Sequence, residues 1–432
     1  MMTVNLRATV NSDGQDPSLS LYHLLDRETR ACPYPLYHRL REQDPVHWDP
    51  YLHAWVVTRY EDVITVLQRF SAARSPTPEQ LTPLGLDELN PIAKVLVRQM
   101  LFMDPPGHTR LRALAAAAFT PARVESLQQH IQEITERLID DVEARGGMDV
   151  IADFANLLPA TVTAELMGVP VADRDQLKNW SIDFSEMLGN FQHNPGRTAR
   201  MLQVVEQMTS YYRERMKDVK RHPQAGVVHA LMSAEVEGDR LTEEEVIANS
   251  IITMTGGQET TTNLIGNGLL ALMQNAGEMS RLRADLSLLP AAVEELLRYE
   301  SPIQYTTRLA PHDLELGGKR LRQRQAVIAV LGAANHDPAR FLDPDRLEIA
   351  RKDNRHLAFG WASHYCFGAP LARVEGRIAF AALLRRFPDM QLEPEPLMWR
   401  HNMIFRGLER LPVRFRPAAE RATMPAGRVA HG

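Results

Sequence analysis

Phe359-Gly360-Trp361-Ala362-Ser363-His364-Tyr365-Cys366-Phe367-Gly368 is the stretch on which the reading of this chain turns. It sets a cysteine just ahead of an apolar-periodic segment, which the spacing predicts to be a long helix ending at Phe387-Pro388. A cysteine so placed faces the positive end of the helix dipole and a set of free backbone N–H groups. Both favour thiolate over thiol. Gly360 and Gly368 on either side let the backbone approach a flat partner closely. A cysteine taken alone is usually a small buried hydrophobe. The weight therefore rests on the ten-residue pattern, not on Cys366 by itself.

Working outward, the chain has 432 residues, beyond the usual single-domain length, yet no Gly/Ser-rich or Pro-rich linker divides it before its tail. We expect one large domain over residues 21–416, a disordered polar segment over 1–20 and a flexible tail over 417–432. Hydrophobic residues make up 44% of the chain, enough for a large core. The net charge of −5, from 49 basic and 54 acidic residues, argues against bulk nucleic-acid binding. Only Cys32 and Cys366 are present, so a disulfide framework and C-x-x-C metal sites are excluded, and a reducing cytoplasm fits. The polar start lacks an apolar signal region, and no run of eighteen apolar residues occurs. A soluble cytoplasmic protein with no membrane or nucleic-acid partner is expected.

The pattern is mainly α with small β segments near both ends, an α+β chain. Leu36–Arg41 and Tyr60–Gln68 read as helices. Val46–Asp49 and Ala54–Thr58 read as strands joined by a turn at Asp49-Pro50-Tyr51. Residues 71–91 hold several prolines and glycines without a period, which predicts a loop. From Pro106 to Leu286 the period is mainly helical, with a helix start at Thr120-Pro121. Thr242-Glu243-Glu244-Glu245 is a capping box opening a helix to about Gln274, roughly 50 Å long. A helix from Pro290 must stop before Ser301-Pro302. Strands are expected near Tyr305–Leu309, Leu314–Leu316, Arg320–Leu321 and Ala326–Val330, and a hairpin over Met403–Phe415.

Three other constellations stand out. Glu295 and Arg298 lie three apart on a helix and can pair, although such pairs are common on surfaces. Gly256-Gly257 followed by Glu259, Thr260, Thr261 and Thr262 breaks helix-propensity rules in mid-helix, where a kink or groove would bring backbone close to a ligand. The bland alternative is that the threonines bond back to the preceding turn and Glu259 faces solvent. His108 and Arg112, four apart on one helix face, can reach a dianionic group.

The spacing F-G-x-x-x-H-x-C-x-G closely resembles the haem-binding loop of the bacterial cytochromes P450, and the resemblance runs from about Tyr34 to Phe415. One departure is Ala362, where that family usually has a second glycine. The resemblance implies the P450 fold and haem b (iron protoporphyrin IX), with Cys366 as the metal ligand in thiolate form. It implies that Phe359, Gly360 and Gly368 shape the ligand loop, and that His108, Arg112, Arg308 and His364 contact the haem propionates. It implies that Glu259 and Thr260 form the acid–alcohol pair that manages proton delivery to dioxygen. Phe341-Leu342-Asp343-Pro344-Asp345-Arg346 resembles the family segment that supplies a second arginine, so Glu295, Arg298 and Arg346 are expected to form a structural network.

By the same resemblance the chain is an oxidoreductase, a monooxygenase that puts one oxygen atom of O2 into a C–H or C=C bond of a small organic substrate. The substrate pocket would draw on residues 71–99, 180–197, 254–257, 303–306 and 403–405. The individual candidates are Met254, Gly256, Gly257, Ile303, Gln304, Tyr305, Thr306, Ile404 and Phe405. Gln304, Tyr305 and Thr306 add polarity, which suits a polyketide or macrolide better than an alkane. Residues 190–195 read as a lid tip. Electrons would come from a separate ferredoxin and ferredoxin reductase docking on a rim of Arg351, Lys352, Arg355, Arg373 and Arg377, or that rim is simply solvated. A monomer is expected. Two alternatives stay open: a peroxide-using or otherwise atypical member, and a P450-like recruitment module without turnover.

Overall fold

Thr242 caps the longest helix. Its hydroxyl accepts from the Glu245 N–H at 3.2 Å, and the Glu245 carboxylate accepts from the Thr242 N–H at 2.9 Å. The helix it opens, Glu243–Gln274, is the axis of the protein. Apart from its first turn it is buried on almost every face, as expected of an element packed all round. Helices Leu157–Met167, Arg174–Gly189, Pro195–Arg221, Leu289–Tyr299 and Ala369–Arg386 pack against it. The computed structural model describes residues 16–116, 121–189, 195–223, 225–236 and 238–417.

The largest sheet has four strands in the order Val46–Asp49, Ala54–Val57, Ala326–Ala329 and Thr306–Leu309. The first pair is a hairpin, with Trp48 directly opposite Trp55. The second pair is parallel and joins Ala54 to Ala326 and Val57 to Ala329. The strand centred on Val327 is therefore central and buried on both faces, which its apolar sequence Ala-Val-Ile-Ala requires.

Most elements lie where the sequence put them, and three expectations are corrected. Residues 16–20 fall inside the segment expected to be disordered. Instead, Pro17–Leu19 forms a 3-10 turn, and the buried Ser20 hydroxyl donates to Asp49 at 2.8 Å. The stretch 71–91 is not a plain loop. It holds a helix at Pro78–Leu81, 3-10 turns at Thr82–Leu84 and Asp87–Leu89, and the start of helix Asn90–Leu96. Pro78, Pro83 and Pro91 each occupy the first turn of one of these elements, so the prolines initiate structure and do not break it. Finally, Leu408–Arg410 and Pro412–Arg414 are strands, but they do not pair with each other. The first pairs with Met398–Trp399; the second lies between Gln391–Leu392 and Gly147–Asp149. Residues 1–15, Thr120 and residues 418–432 lie outside the described residues. Among the described residues, one stretch is long and apolar enough to span a bilayer, Val150–Met167, and it is mostly buried in the protein.

Candidate active site

Cys366 is held by its own loop. Its N–H donates to the Phe359 carbonyl at 2.7 Å. Gly360 sits at φ +72°, a left-handed conformation that glycine adopts freely. Ala362 sits at φ +56°, which explains why glycine is favoured there and costs this chain about 1–2 kcal/mol of local strain. The N–H groups of Gly368 and Ala369, at the start of helix Ala369–Arg386, face the sulfur. The helix terminus was expected to secure a thiolate. Instead, burial pushes the Cys366 thiol up and outweighs those N–H groups and the nearby Arg112 and Arg373. A metal cation bound at the sulfur would reverse that balance, since it deprotonates a coordinating thiol outright.

Cys366 borders a cavity of about 590 Å³ whose lining is mostly apolar. The size suits a bound organic group. A Cβ on Gly368 or on Gly256 would meet nothing within 4 Å, so two glycines on opposite walls leave space that side chains would fill. The adjacent Gly257 does a different job. A Cβ there would come within 2.9 Å of Thr163 Oγ1, so its smallness lets helix Leu157–Met167 pack closely.

The central helix runs through these glycines as one element, and Gly256 leaves open space on its cavity side. Thr260 Oγ1 donates to the Gly256 carbonyl at 2.7 Å, one turn back, and Thr260 borders the cavity. Glu259 neither borders the cavity nor faces solvent. It is 2% exposed and ion-paired with Arg400. Burial raises its pKa, and Arg400 and Asn263 oppose that shift. The two members of the expected pair thus lie on different sides of the helix wall.

Five nitrogen-bearing side chains converge on the cavity: His108, Arg112, Arg308, His364 and also Arg74, which the sequence reading missed. The His108 and His364 rings lie 4.1 Å apart. Arg112 donates to the Tyr365 carbonyl at 2.7 Å. Arg308 donates to Thr306 Oγ1 and the Thr307 carbonyl, and its buried Nε has no partner; nor has either ring nitrogen of His108. Arg74 donates to the Ala72 and Leu101 carbonyls and lies over the Phe102 ring. Burial lowers all five pKa values: Arg308 to about 10, Arg74 to about 9 and His364 to about 3, with mutual repulsion adding to the effect in Arg74 and His364. Asp104 offsets this only in part for His108, Arg308 and His364, and none of the five has an ion-pair partner among the described residues; a dianion would relieve the crowding. The residues present therefore fit an iron macrocycle carrying two carboxylates: Cys366 would ligate the metal, and the five side chains would hold the carboxylates.

Behind the site, Glu295 is fully buried. Arg298 grips it through both oxygens at 2.8 and 2.9 Å, and Arg351, Asn354 Nδ2 and the Glu348 N–H complete its shell. The second guanidinium is thus Arg351, not the expected Arg346. Arg346 is exposed, and only its carbonyl takes part, accepting from Arg298 and Arg351. This also thins the basic rim. Arg351 is committed to Glu295, Arg373 to Glu294 and Arg355 to Asp353, while Arg377 Nε donates to the Arg373 carbonyl and Lys352 is exposed.

Of the pocket candidates, Gly256, Gly257, Ile303, Tyr305, Thr306, Ile404 and Phe405 border the cavity. A bridge between Ile303 and Phe405 and a Gln304 N–H donation to the Ile404 carbonyl bind the two segments into one wall. Met254 and Gln304 are corrections. Met254 lies on the opposite helix face from Gly256, fully buried in the core. Gln304 turns away, accepting from the Tyr37 hydroxyl and donating to the Ser301 carbonyl. Leu188 is the contribution of region 180–197, whose residues 190–194 lie outside the described residues.

Comparison with known proteins gives a concordant result. The family model "Cytochrome P450" matches residues 54–403. The biotin biosynthesis cytochrome P450 of Bacillus subtilis is 40% identical over 89% of this chain and 96% of its own length. Cytochrome P450 monooxygenase PikC of Streptomyces venezuelae is 39% identical over 96% of this chain and 99% of its own. Among solved structures, P450BioI in complex with hexadec-9Z-enoic acid ligated acyl carrier protein superposes with a TM-score of 0.85 at 38% identity, covering 90% of this chain and 99% of that one.

Proposed function

The chain belongs to the cytochrome P450 family, and on that premise we propose that it oxidises a small natural product of the polyketide or macrolide kind. One oxygen atom of O2 enters a C–H or C=C bond, with electrons from a separate ferredoxin and ferredoxin reductase in the cytoplasm. Bound iron protoporphyrin IX supplies the reductive activation of dioxygen. This chain's residues bind, orient and protonate. Cys366 ligates the metal through sulfur. Arg74, His108, Arg112, Arg308 and His364 hold the propionates by charge-assisted hydrogen bonds. Phe359, beneath the Arg373 guanidinium at 4.6 Å, limits water at the sulfur. Thr260 presents its hydroxyl to the cavity. Glu259, behind it, reaches the cavity only if the Arg400 pair opens.

The observation that carries this reading is the convergence of Cys366, the five basic side chains and Thr260 on one largely apolar cavity. The test is the CO difference spectrum of the dithionite-reduced protein. A strongly red-shifted thiolate Soret band is expected, and Cys366→Ser should abolish it while leaving the fold intact. An unchanged band in that variant would remove Cys366 as the ligand. A library of macrolides and polyketides, screened for displacement of metal-bound water, then tests the substrate class.

A second reading of the substrate is an acyl chain delivered on a carrier protein. The apolar lining and the acyl-carrier complex of the P450BioI relative favour it. A spectral shift with carrier-linked acyl chains and none with free macrolides would decide for it.

A further inference from the structure

A second, much smaller cavity shares no lining residue with the first. It measures about 20 Å³, room for one or two particles of water size and too little for an organic molecule. Its charge sets it apart. Arg30, Arg400 and Arg406 line it, together with Gln304, Asn402 and Trp399, and no acidic residue does.

Two of the three cations are matched. Arg406 pairs with Glu300 at 2.6 Å, donates to the Arg30 and Ala31 carbonyls and lies over the Trp399 ring. Arg400 pairs with Glu259 through Nη1. Arg30 has no ion-pair partner among the described residues; its Nε and Nη1 donate to the Trp399 and Leu25 carbonyls. Burial lowers its pKa, while the exposed Glu409 and Asp26 oppose that shift and Arg27 adds to it. Glu186, which repels Glu259, has a partner of its own. Three positive charges thus face two negative ones. Arg30 Nη2 and Arg400 Nε and Nη2 donate to no described residue, so spare cationic donors meet at this cavity.

We propose that this cavity is a binding site for one small monovalent anion of the chloride type, held by Arg30 and Arg400 through charge-assisted hydrogen bonds. One such ion balances the surplus positive charge and fits the volume, whereas a phosphate is too large. The site depends neither on haem nor on the monooxygenase activity. Its place in the fold gives it a consequence. Arg30 lies in helix Arg27–Ala31, and Arg400 opens the segment that carries Ile404 and Phe405 into the wall of the main cavity. An anion between the two arginines ties that segment to the helix and stabilises the folded state by mass action.

The test uses the full-length haem-loaded protein. Crystals soaked in sodium bromide should give an anomalous bromide peak in this cavity, within hydrogen-bond reach of Arg30 and Arg400. In solution, the thermal unfolding midpoint should rise with sodium chloride and level off. Sodium gluconate at the same ionic strength, whose anion is too large for the cavity, should leave it lower. Arg30→Met should raise the half-saturating chloride concentration about tenfold to a hundredfold, and Arg30→Lys should restore part of that loss. Absence of the bromide peak overturns the proposal. So does a midpoint that responds equally to both salts, which is general screening, and so does parental chloride dependence in Arg30→Met. A bromide peak without chloride-dependent unfolding marks an adventitious ion only and overturns it as well. If Arg30→Met does not fold, the bromide peak and the comparison of chloride with gluconate in the parent protein still decide.

Discussion

Two buried carboxyls, Glu295 and Glu375, lie on neighbouring helices and differ in almost every respect. Glu295 accepts hydrogen bonds from Arg298, Arg351, Asn354 and the Glu348 N–H. Glu375 accepts none. The basic residues divide in the same way: the guanidinium groups behind the site are matched by carboxylates of this chain, whereas the five side chains around the cavity are not. The difference teaches where the protein is complete in itself and where it is shaped for something else. Internally matched charge locks the scaffold, and unmatched polarity marks the walls of the functional space.

Removing one partner on each side should break or sharpen that contrast. The largest effect is expected from Glu295→Ala, which strands two guanidinium groups in the interior. Destabilisation of about 3–5 kcal/mol should appear in denaturant unfolding. A loss below about 1 kcal/mol would mean that the lock is not internally matched after all.

Glu375 should reveal itself through pH. Its carboxyl titrates at about 8 in the folded protein, against an ordinary 4.5 when unfolded. Between those values the folded state keeps a proton that the unfolded chain has released. Stability should therefore fall as pH rises through that window. Glu375→Gln should flatten the slope of unfolding free energy against pH there, and an unaltered slope would show that the carboxyl is ionised when folded.

Arg308→Met probes the unmatched cations. The haem-free variant should be at least as stable as its parent, because the cost of burying the guanidinium, which Asp104 offsets only in part, has gone. Haem retention should weaken by about 1.5–3 kcal/mol, roughly tenfold to a hundredfold, in a haem-transfer assay. A fall in haem-free stability would move Arg308 to the scaffold side of the comparison. The smallest effect belongs to Ala362→Gly, which relieves the φ of +56°. A gain of about 1 kcal/mol in thermal unfolding is expected.

The division also explains what the sequence could reveal. The helices with caps, the paired strands and the cysteine loop were legible because each depends on local spacing: Thr242 with Glu245, Trp48 across from Trp55, Cys366 just ahead of its helix. Arg351 and Arg346 are five residues apart in one irregular segment, and only the path of the backbone decides which guanidinium turns inward. Arg74 carries no periodic signal at all. Glu375 lay within a helix that was correctly expected, but its missing partners are a property of the assembled interior. Met254 and Gln304 were misplaced for the converse reason, since a segment was assigned to the cavity as a whole while its helical or turn phase aims alternate side chains elsewhere. The prolines at positions 78, 83 and 91 were read for their frequency, and it was their position within each turn that mattered.

The parallel pairing of Ala54–Val57 with Ala326–Ala329 has a consequence for how the molecule is made. During synthesis the first strand leaves the ribosome with its hairpin partner but without its inner neighbour. At ordinary elongation rates the wait for that neighbour is on the order of tens of seconds. Throughout it, one edge of an apolar hairpin stands open to any passing strand. The Cys366 loop emerges later still. The newborn protein must therefore guard an unfinished sheet before it owns the sulfur that could hold its metal, and cofactor capture comes among the last events of its assembly.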